Sequence, residues 1–411
     1  MTPCQKDAWA ALHGKGNVFV TGPAGTGKSY LLQKFMEGKA SAHYPVVAST
    51  GVSAVLVGGR TFHSFFGLGI LEGGVEAAIE RACGNTRVCV RLQRARAIII
   101  DEVSMIPGEI LRAAEAVTRF ARGSDEPWGG LRIIAVGDFA QLPPVTRSDA
   151  QKDWAFLSET WERTGFSSAL LRTVVRTQEP EFLEVLHAVR EGRVTHAVEN
   201  FLNARLASAD MHFDGTRLFP LRAAADRYNQ LKLDELPGVP RTFETAYAGK
   251  EQYLDQLKKN CPIPEFLHLK KNALVMLRKN DVSGKYRWVN GSLGRLTGIG
   301  DDCLEIALLD GDEIEVKKEN FGMLDGAGNE VAVAWNFPVT LAWASTIHKS
   351  QGATLDRILV DLSRLWEPGQ AYVALSRVRS GDGLFIEKWH PSSILAEPAV
   401  LDFYREMERI A

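Results

Sequence analysis

The chain of 411 residues is long enough for two to four domains, is 45% apolar and 24% charged, and carries a net charge of −2. That balance is ordinary for a soluble globular protein and argues against one that coats nucleic acid by bulk charge, while leaving room for a local basic groove. The five cysteines (Cys4, Cys83, Cys89, Cys261 and Cys303) have no CxxC spacing, so structural zinc is not expected. No apolar run reaches the roughly 18 residues of a membrane span. The opening "MTPCQKDAW" lacks the apolar stretch of a secretion signal, so a cytoplasmic or nucleoid setting is expected.

In chain order, the first 150 residues repeat a short apolar strand, a loop and an amphipathic helix. "NVFV" (17–20), "PVVAS" (45–49), "AIII" (97–100) and "LRIIAV" (131–136) are almost wholly apolar, as strands of a parallel sheet buried on both faces should be. A helix is expected over 107–121, where Ile110, Leu111, Ala114, Val117 and Thr118 share a face. The class is doubly wound α/β. Residues 67–94 interrupt the rhythm with a Gly-rich stretch that has no clear strand, and read as a small insertion.

A second α/β rhythm begins near 170. It contains "TRLFPL" (216–221), a helix after it, "VTLAWA" (339–344), "RILVDL" (357–362), a helix over 368–378 and "GLFIE" (383–387). Between its halves, over 240–332, short alternating strands are separated by Asn-Gly, Asp-Gly and Asp-Asp turns. They predict a small antiparallel β-barrel inserted into the second α/β unit.

The chemistry begins at "GPAGTGKS" (22–29), which fits G-x-x-x-x-G-K-[ST] between an expected strand and an expected helix. Gly22, Pro23, Ala24, Gly25, Thr26 and Gly27 form a loop whose amides turn toward phosphates, and the helix N-terminus adds positive potential. Lys28 reaches the β- and γ-phosphates of ATP, Ser29 ligates Mg2+, and Tyr30 follows in the helix. "IIIDEVSM" (98–105) ends a buried strand with Asp101, placed to hold Mg2+, and Glu102, placed to polarise the attacking water. In "GDFAQLPPV" (137–145), Gln141 reads either as a reporter of the γ-phosphate or as part of a polar turn stiffened by Pro143 and Pro144. Gln5 reads either as a surface residue or as the partner of the adenine edge.

Phosphoryl transfer builds charge on the γ-oxygens, and an arginine brought from elsewhere stabilises it. The second half offers Arg176 in "LRTVVRTQEPEF" and Arg377 in "VALSRV". Arg377 taken alone reads equally as a solvated helix residue. A strand of nucleic acid would cross "STGVSAVLVGGRTFHSFFG" (49–67) and "STIHKSQGAT" (345–354), which offer hydroxyls, amides and histidines to phosphates. Phe62, Phe65 and Phe66 are either base-stacking rings or core.

Taken in order, Gln5, "GPAGTGKS", "STGVSA", "TFHSF", "IIIDEVSM", "GDFAQLPPV", "TIHKSQG" and "QAYVALSRV" resemble the motifs of superfamily 1 DNA helicases of the RecD/Pif type. "EPWGGLRIIAVGDFAQLPPV" (126–145) resembles a segment particular to the Pif-type branch. "NALVMLRKN" followed by "VNGSLGRL" resembles the start of that family's SH3-like barrel. The resemblance runs from about residue 5 to 390.

It implies two RecA-like cores, over 1–66 with 95–169 and over 170–239 with 333–411. A wedge at 67–94 and an SH3-like barrel at 240–332 are the implied insertions. It implies an ATP site of Gln5, residues 22–30, Asp101, Glu102, Gln141 and Gly352, with Arg176 and Arg377 as arginine fingers. Thr50, Gly51, His63, Ser64, Phe65, Pro143, Thr346, His348 and Lys349 are implied on or beside single-stranded DNA. The implied activity is ATP-dependent 5′-to-3′ movement by a monomer, unwinding tailed duplexes, G-quadruplexes and R-loops. Thr177 stands where the family usually has glutamine, and Ser53 where alanine is common.

Rival classes lack their marks. A GTPase would carry Asn-Lys-x-Asp, and a small-molecule kinase would lack the second lobe with its arginines. A superfamily 2 RNA helicase would end on a paired-arginine motif, and a nuclease would need another carboxylate cluster. A loader subunit using ATP only as a clamp would not need both Glu102 and Arg377.

Overall fold

The structure is a computed structural model that describes all residues except 50–59, 70, 72, 145–151, 209–210, 212, 282–286, 289, 310, 325–329 and 411. Six strands form the first sheet in the order Arg60–Thr61, Val46–Ala48, Ala97–Asp101, Arg132–Val136, Val18–Thr21, Ser167–Leu170. Every pairing in it is parallel. Its four inner strands are nearly continuous apolar runs because both faces are covered. The helices Pro3–His13 and Lys28–Met36 close one core, while Gly74–Cys83, Thr86–Arg94 and Gly108–Arg122 close the other.

The strand order explains why three separate motifs meet. Val18–Thr21 lies beside Arg132–Val136, which lies beside Ala97–Asp101. The loops leaving the C-terminal ends of these strands begin at Gly22, Gly137 and Glu102, so they emerge side by side.

The segment 67–94, expected to hold no strand, forms the helices Gly74–Cys83 and Thr86–Arg94, the second capped by the Asn85 side chain. Both lie against the helix Gly108–Arg122, and Val75, Ala82, Val88 and Leu92 join its core.

The second sheet is parallel and four-stranded, ordered Ala344–Thr346, Thr216–Phe219, Ile358–Leu362, Leu384–Trp389. Antiparallel sheets are inserted in it. One has five strands and contains Leu274–Leu277, Leu293–Ile299, Cys303–Leu308 and Glu313–Lys317. Its core is continuous with that of the second lobe. A three-stranded sheet (Ala246–Gly249, Glu330–Asn336, Glu319–Leu324) packs on the helix Glu251–Asn260 around a small core of its own. A two-stranded ribbon joins Arg241–Glu244 to Phe266–Leu269.

Two expectations are corrected. "VTLAWA" is not one core strand: Val339–Leu341 pairs antiparallel with Leu274–Leu277 as the fifth strand of the inserted sheet, and the parallel strand starts only at Ala344. The inserted sheet thus reaches past 332 to 341. The terminal helix Pro398–Ile410, expected with the second core, instead packs on the first. Val400, Tyr404 and Met407 fill the same cluster as Phe19, Phe139 and Trp161, because the face they form matches the apolar surface beside Val18–Thr21. No helix among the described residues is long and apolar enough to cross a membrane.

Candidate functional site at the cleft between the lobes

The loop from Gly22 to Gly27 is backbone pressed between three neighbours. Gly22, Gly25 and Gly27 have φ of 147°, 79° and 87°. A Cβ on them would lie 2.2 Å from the Leu171 carbonyl oxygen, 2.6 Å from Arg176 Cβ and 2.7 Å from Gln5 Nε2 respectively. Only glycine allows that approach. Lys28 opens the helix behind the loop and folds back over it, donating to the carbonyls of Gly22 at 2.8 Å and Pro23 at 3.1 Å. Burial lowers its pKa against the attraction of Asp138 and Glu102. Thr26 Oγ1 also donates to Pro23, at 2.9 Å.

A cavity of about 360 Å3 opens here, and both lobes line it. Ala24, Gly25, Gly27, Lys28, Ser29, Tyr30, Glu102 and Gln141 come from the first lobe, and Gly352 and Arg377 from the second. Arg176, on the segment joining them, completes the wall with Val175, Thr354 and Arg379, none of the last three singled out from sequence. Gly22, Pro23 and Thr26 lie behind the loop and serve its own bonds.

Gln5 is 4% exposed and both ends of its amide are engaged. Oε1 accepts from Thr2 N–H at 2.9 Å, closing the capping box of the first helix, and Nε2 donates to the Thr26 carbonyl at 3.0 Å. Gln5 thus braces the phosphate loop and is not the surface residue that its other reading allowed.

Glu102 sits in the left-handed region (φ 52°), a strained position for a non-glycine residue, at the end of the strand carrying Asp101. Gln351 Nε2, from the second lobe, donates to Glu102 Oε2 at 3.0 Å. Burial, and then the neighbouring Glu102, push Asp101 up to about 7. Burial likewise raises Glu102, against the pull of Lys28 and Arg377. Two half-buried carboxylates side by side favour a cation between them and a phosphate. The donor set of Ser29 and Asp101 fits Mg2+, whose sites usually combine one or two protein oxygens with phosphate and water. Among the described residues no group of three or more His, Cys, Asp or Glu could hold a metal by itself.

Arg377 follows the helix Gln370–Leu375 and is 1% exposed. Its Nε donates to Val373 O at 2.7 Å, its Nη1 to Ser350 O at 3.2 Å and Ala353 O at 3.3 Å, and its Nη2 to Ser376 Oγ at 2.9 Å. It therefore caps its own helix and ties down the turn that carries Gly352. Burial, and then nearby Arg176, pull its pKa down to about 9. Arg176 donates to Ser376 O at 2.6 Å, and burial lowers it to about 10. Two guanidiniums and Lys28 around one cavity favour a highly charged anion there.

A polar network that sequence reading missed joins the lobes beneath the cavity. Asp138 is fully buried. It accepts from Arg190 Nη2 at 2.8 Å, Tyr404 Oη at 3.1 Å, Ala140 N at 3.1 Å and Gln141 Nε2 at 3.4 Å. Gln141 is thus attached to Asp138 while lining the cavity. Tyr372 Oη accepts from Ala24 N at 2.7 Å, so the helix of "QAYVALSRV" bonds directly to the phosphate loop. Gln351 and Tyr372 lie inside motifs quoted above, whereas nothing in the sequence points to Arg190.

The residues expected on DNA divide. Thr50 and Gly51 lie outside the described residues. His63 is half-buried, with its pKa lowered by burial, and Ser64 Oγ accepts from Arg60 at 2.8 Å. Phe65 is corrected to core: it is 1% exposed beside buried Phe62 and Phe66, with the Arg91 guanidinium 5.5 Å from its ring. Pro143 is also buried, which withdraws it from any strand in this arrangement. Thr346 caps a short helical turn, its Oγ1 accepting from Lys349 N at 3.1 Å. His348 beside it is half-buried, which lowers its pKa, and Lys349 is exposed.

A phosphate loop on one parallel sheet, with arginines and a glutamine from beyond that sheet closing on it, defines a two-lobed P-loop nucleoside-triphosphate hydrolase. The profile of the PIF1-like helicase family matches residues 6–200. A protein named ATP-dependent DNA helicase Pif1 from Bdellovibrio bacteriovorus is 49% identical over 408 residues, covering 99% of this chain and 92% of that one. Pif1 from a Bacteroides species in complex with ADP-AlF4 superposes with a TM-score of 0.85 at 30% identity, over 100% of this chain and 97% of the other. Bacteroides Pif1 helicase in complex with ADP-AlF3 and single-stranded DNA gives 0.67 at 29% identity, over 99% and 97%. The chain belongs to the PIF1-like helicase family and, by that membership, is an ATP-driven DNA helicase.

Proposed function

We propose that the chain hydrolyses ATP with Mg2+ in the cleft between its lobes and so moves 5′ to 3′ along single-stranded DNA, as a monomer, unwinding tailed duplexes. G-quadruplexes and R-loops are its further substrates. The observation that carries this reading is that Arg377 and Arg176 line the same cavity as Lys28, Ser29, Glu102 and Gln141. Ser29 and Asp101 would hold Mg2+, which would neutralise charge on the phosphate oxygens. Lys28 exchanges the carbonyls of Gly22 and Pro23 for phosphate, and the amides of the 22–29 loop cradle the rest. Glu102, with its pKa raised, takes the proton of the attacking water. Gln141 orients that water, and the two arginines stabilise the charge that builds on the γ-oxygens.

Because Gln351 and Tyr372 bond the second lobe to Glu102 and to the phosphate loop, a change in the phosphates changes the spacing of the lobes. Thr50, Gly51, His63, Ser64, Thr346, His348 and Lys349 line the strand, and the helices 74–83 and 86–94 meet the duplex. The two Bacteroides structures match at nearly equal identity but at 0.85 and 0.67, as expected of units that shift when a strand is held. The test is unwinding of matched duplexes carrying a 5′ or a 3′ tail, with ATP. The 5′-tailed duplex should open and the 3′-tailed one remain closed; a 3′ preference, or no opening of either, contradicts the reading.

A further inference from the structure

The helix Gln370–Leu375, which leads into Arg377, touches the first lobe in its middle and again at its start. Tyr372 ties the middle to the phosphate loop through Ala24 N. The start is held by shape. Gly369, at the N-cap with φ 80°, lies against the backbone of the Gln141 turn. A Cβ there would run into the Gln141 carbonyl oxygen and lie 2.8 Å from that of Ala140, so only glycine allows the approach. The turn that carries Gln141 and the helix that leads to Arg377 therefore share a contact, and both side chains line the nucleotide cavity.

Beside this contact an ion pair crosses between the lobes. Lys152 Nζ donates to Glu367 Oε1, and the two side chains are 22% and 19% exposed. Each end is anchored in its own lobe. Asp153, next to Lys152, accepts from Glu109 N–H at 2.8 Å, and Trp154 is buried in the first core. Glu367 N–H donates at 3.4 Å to Oε1 of the fully buried Gln370, which fixes Glu367 to the first turn of the helix. A half-buried pair between two anchored segments is screened less than an exposed one, and it sets the distance between them. Glu367 also faces the proposed strand track: burial lowers the pKa of His348, and Glu367 is the charge that works against it. A phosphate arriving at His348 would act on the same carboxylate that Lys152 holds.

We propose that Lys152 and Glu367 are positioning residues for hydrolysis. Their ion pair keeps the start of the helix on the Gln141 turn, so that Gln141 and Arg377 reach the same phosphate. Both residues stand outside the nucleotide cavity, so they act through the helix and not on the nucleotide. The inference rests on the reading that Gln141 and Arg377 act on the γ-phosphate.

The test is ATP turnover by the full chain, with and without oligo-dT. The variants are Lys152→Met, Glu367→Gln and the reversed pair Lys152→Glu with Glu367→Lys. In each single variant the DNA-stimulated kcat should fall about tenfold with KM for ATP within about twofold of the parent, less than the roughly hundredfold that a misplacement of about 1 Å can cost. The reversed pair should return kcat to within about threefold of the parent, because the attraction depends on opposite signs and not on which lobe carries which. A DNA-stimulated kcat in Lys152→Met equal to that of the parent overturns the proposal, as does a reversed pair no more active than the single variants. Failure of the parent to raise its turnover with oligo-dT removes the helicase reading itself, whereas parental turnover in Lys152→Met removes only this pair.

Discussion

Asp138 shows how one buried carboxylate holds the site together. Burial alone would raise its pKa, but Arg190 and Lys28, with the hydrogen bonds it accepts, bring it below the ordinary carboxylate value. A group depressed in this way contributes stability above its unfolded pKa, and that contribution disappears as pH falls through the folded value. Asp138→Asn should therefore destabilise the protein by about 3–5 kcal/mol at neutral pH, because Arg190 is left buried without its counter-charge. The gap in thermal midpoint between variant and parent should stay constant from about pH 8 to 5 and narrow below about pH 4. A gap that keeps its full size at the acid end would assign the stabilisation to shape and not to charge. Sequence reading stopped three residues away, at Gln141, because "GDFAQLPP" displays a turn but not the arginine that arrives from the helix Pro180–Arg190. That Lys28, Ser29 and Glu102 share one cavity was legible because each lies in a short contiguous motif at the end of a strand. The bracing role of Gln5 was not legible, since its partners Thr2 and Thr26 are set by the fold.

At the scale of elements, the terminal helix Pro398–Ile410 is the part least visible beforehand. Val400, Tyr404 and Met407 mark an apolar face, yet spacing cannot say which lobe that face covers. The structure answers through Tyr404, whose hydroxyl donates to Asp138, accepts from Phe139 N at 2.9 Å and lies 2.8 Å from Thr21 Oγ1. The last helix thus clamps the strand that leads into the phosphate loop. Tyr404→Phe keeps the ring and leaves these buried partners unsatisfied, at a cost of about 1–3 kcal/mol. In urea unfolding the midpoint should fall with the slope unchanged; an unmoved midpoint would make the clamp unimportant. The run "VTLAWA" was misread for a related reason: apart from Thr340 it is apolar, so the alternation that separates an inserted strand from a core strand is too faint to read, and pairing partners decide. Phe62, Phe65 and Phe66 carried two readings, and burial chose the core.

Over the whole molecule, the doubly wound pattern made the inner strands of both parallel sheets readable, because strands buried on two faces are written as apolar runs; the edge strands Arg60–Thr61, Ser167–Leu170 and Ala344–Thr346 were not. The partition of the inserted sheets was not readable, since short strands with common turns admit several pairings. Cross-lobe bonds converge on the phosphate loop and the carboxylates behind it: Tyr372 on Ala24, Gln351 on Glu102 and Arg190 on Asp138. Arg377 stands among them with its donors turned toward carbonyls of its own lobe, which the proposed function requires it to exchange for phosphate. The most direct measurement is ATP turnover by Arg377→Ala with and without single-stranded DNA, alongside nucleotide affinity. The account predicts affinity within a few-fold of the parent and DNA-stimulated turnover lower by about 10³, the scale of a lost arginine finger. Stimulated turnover equal to that of the parent would contradict it.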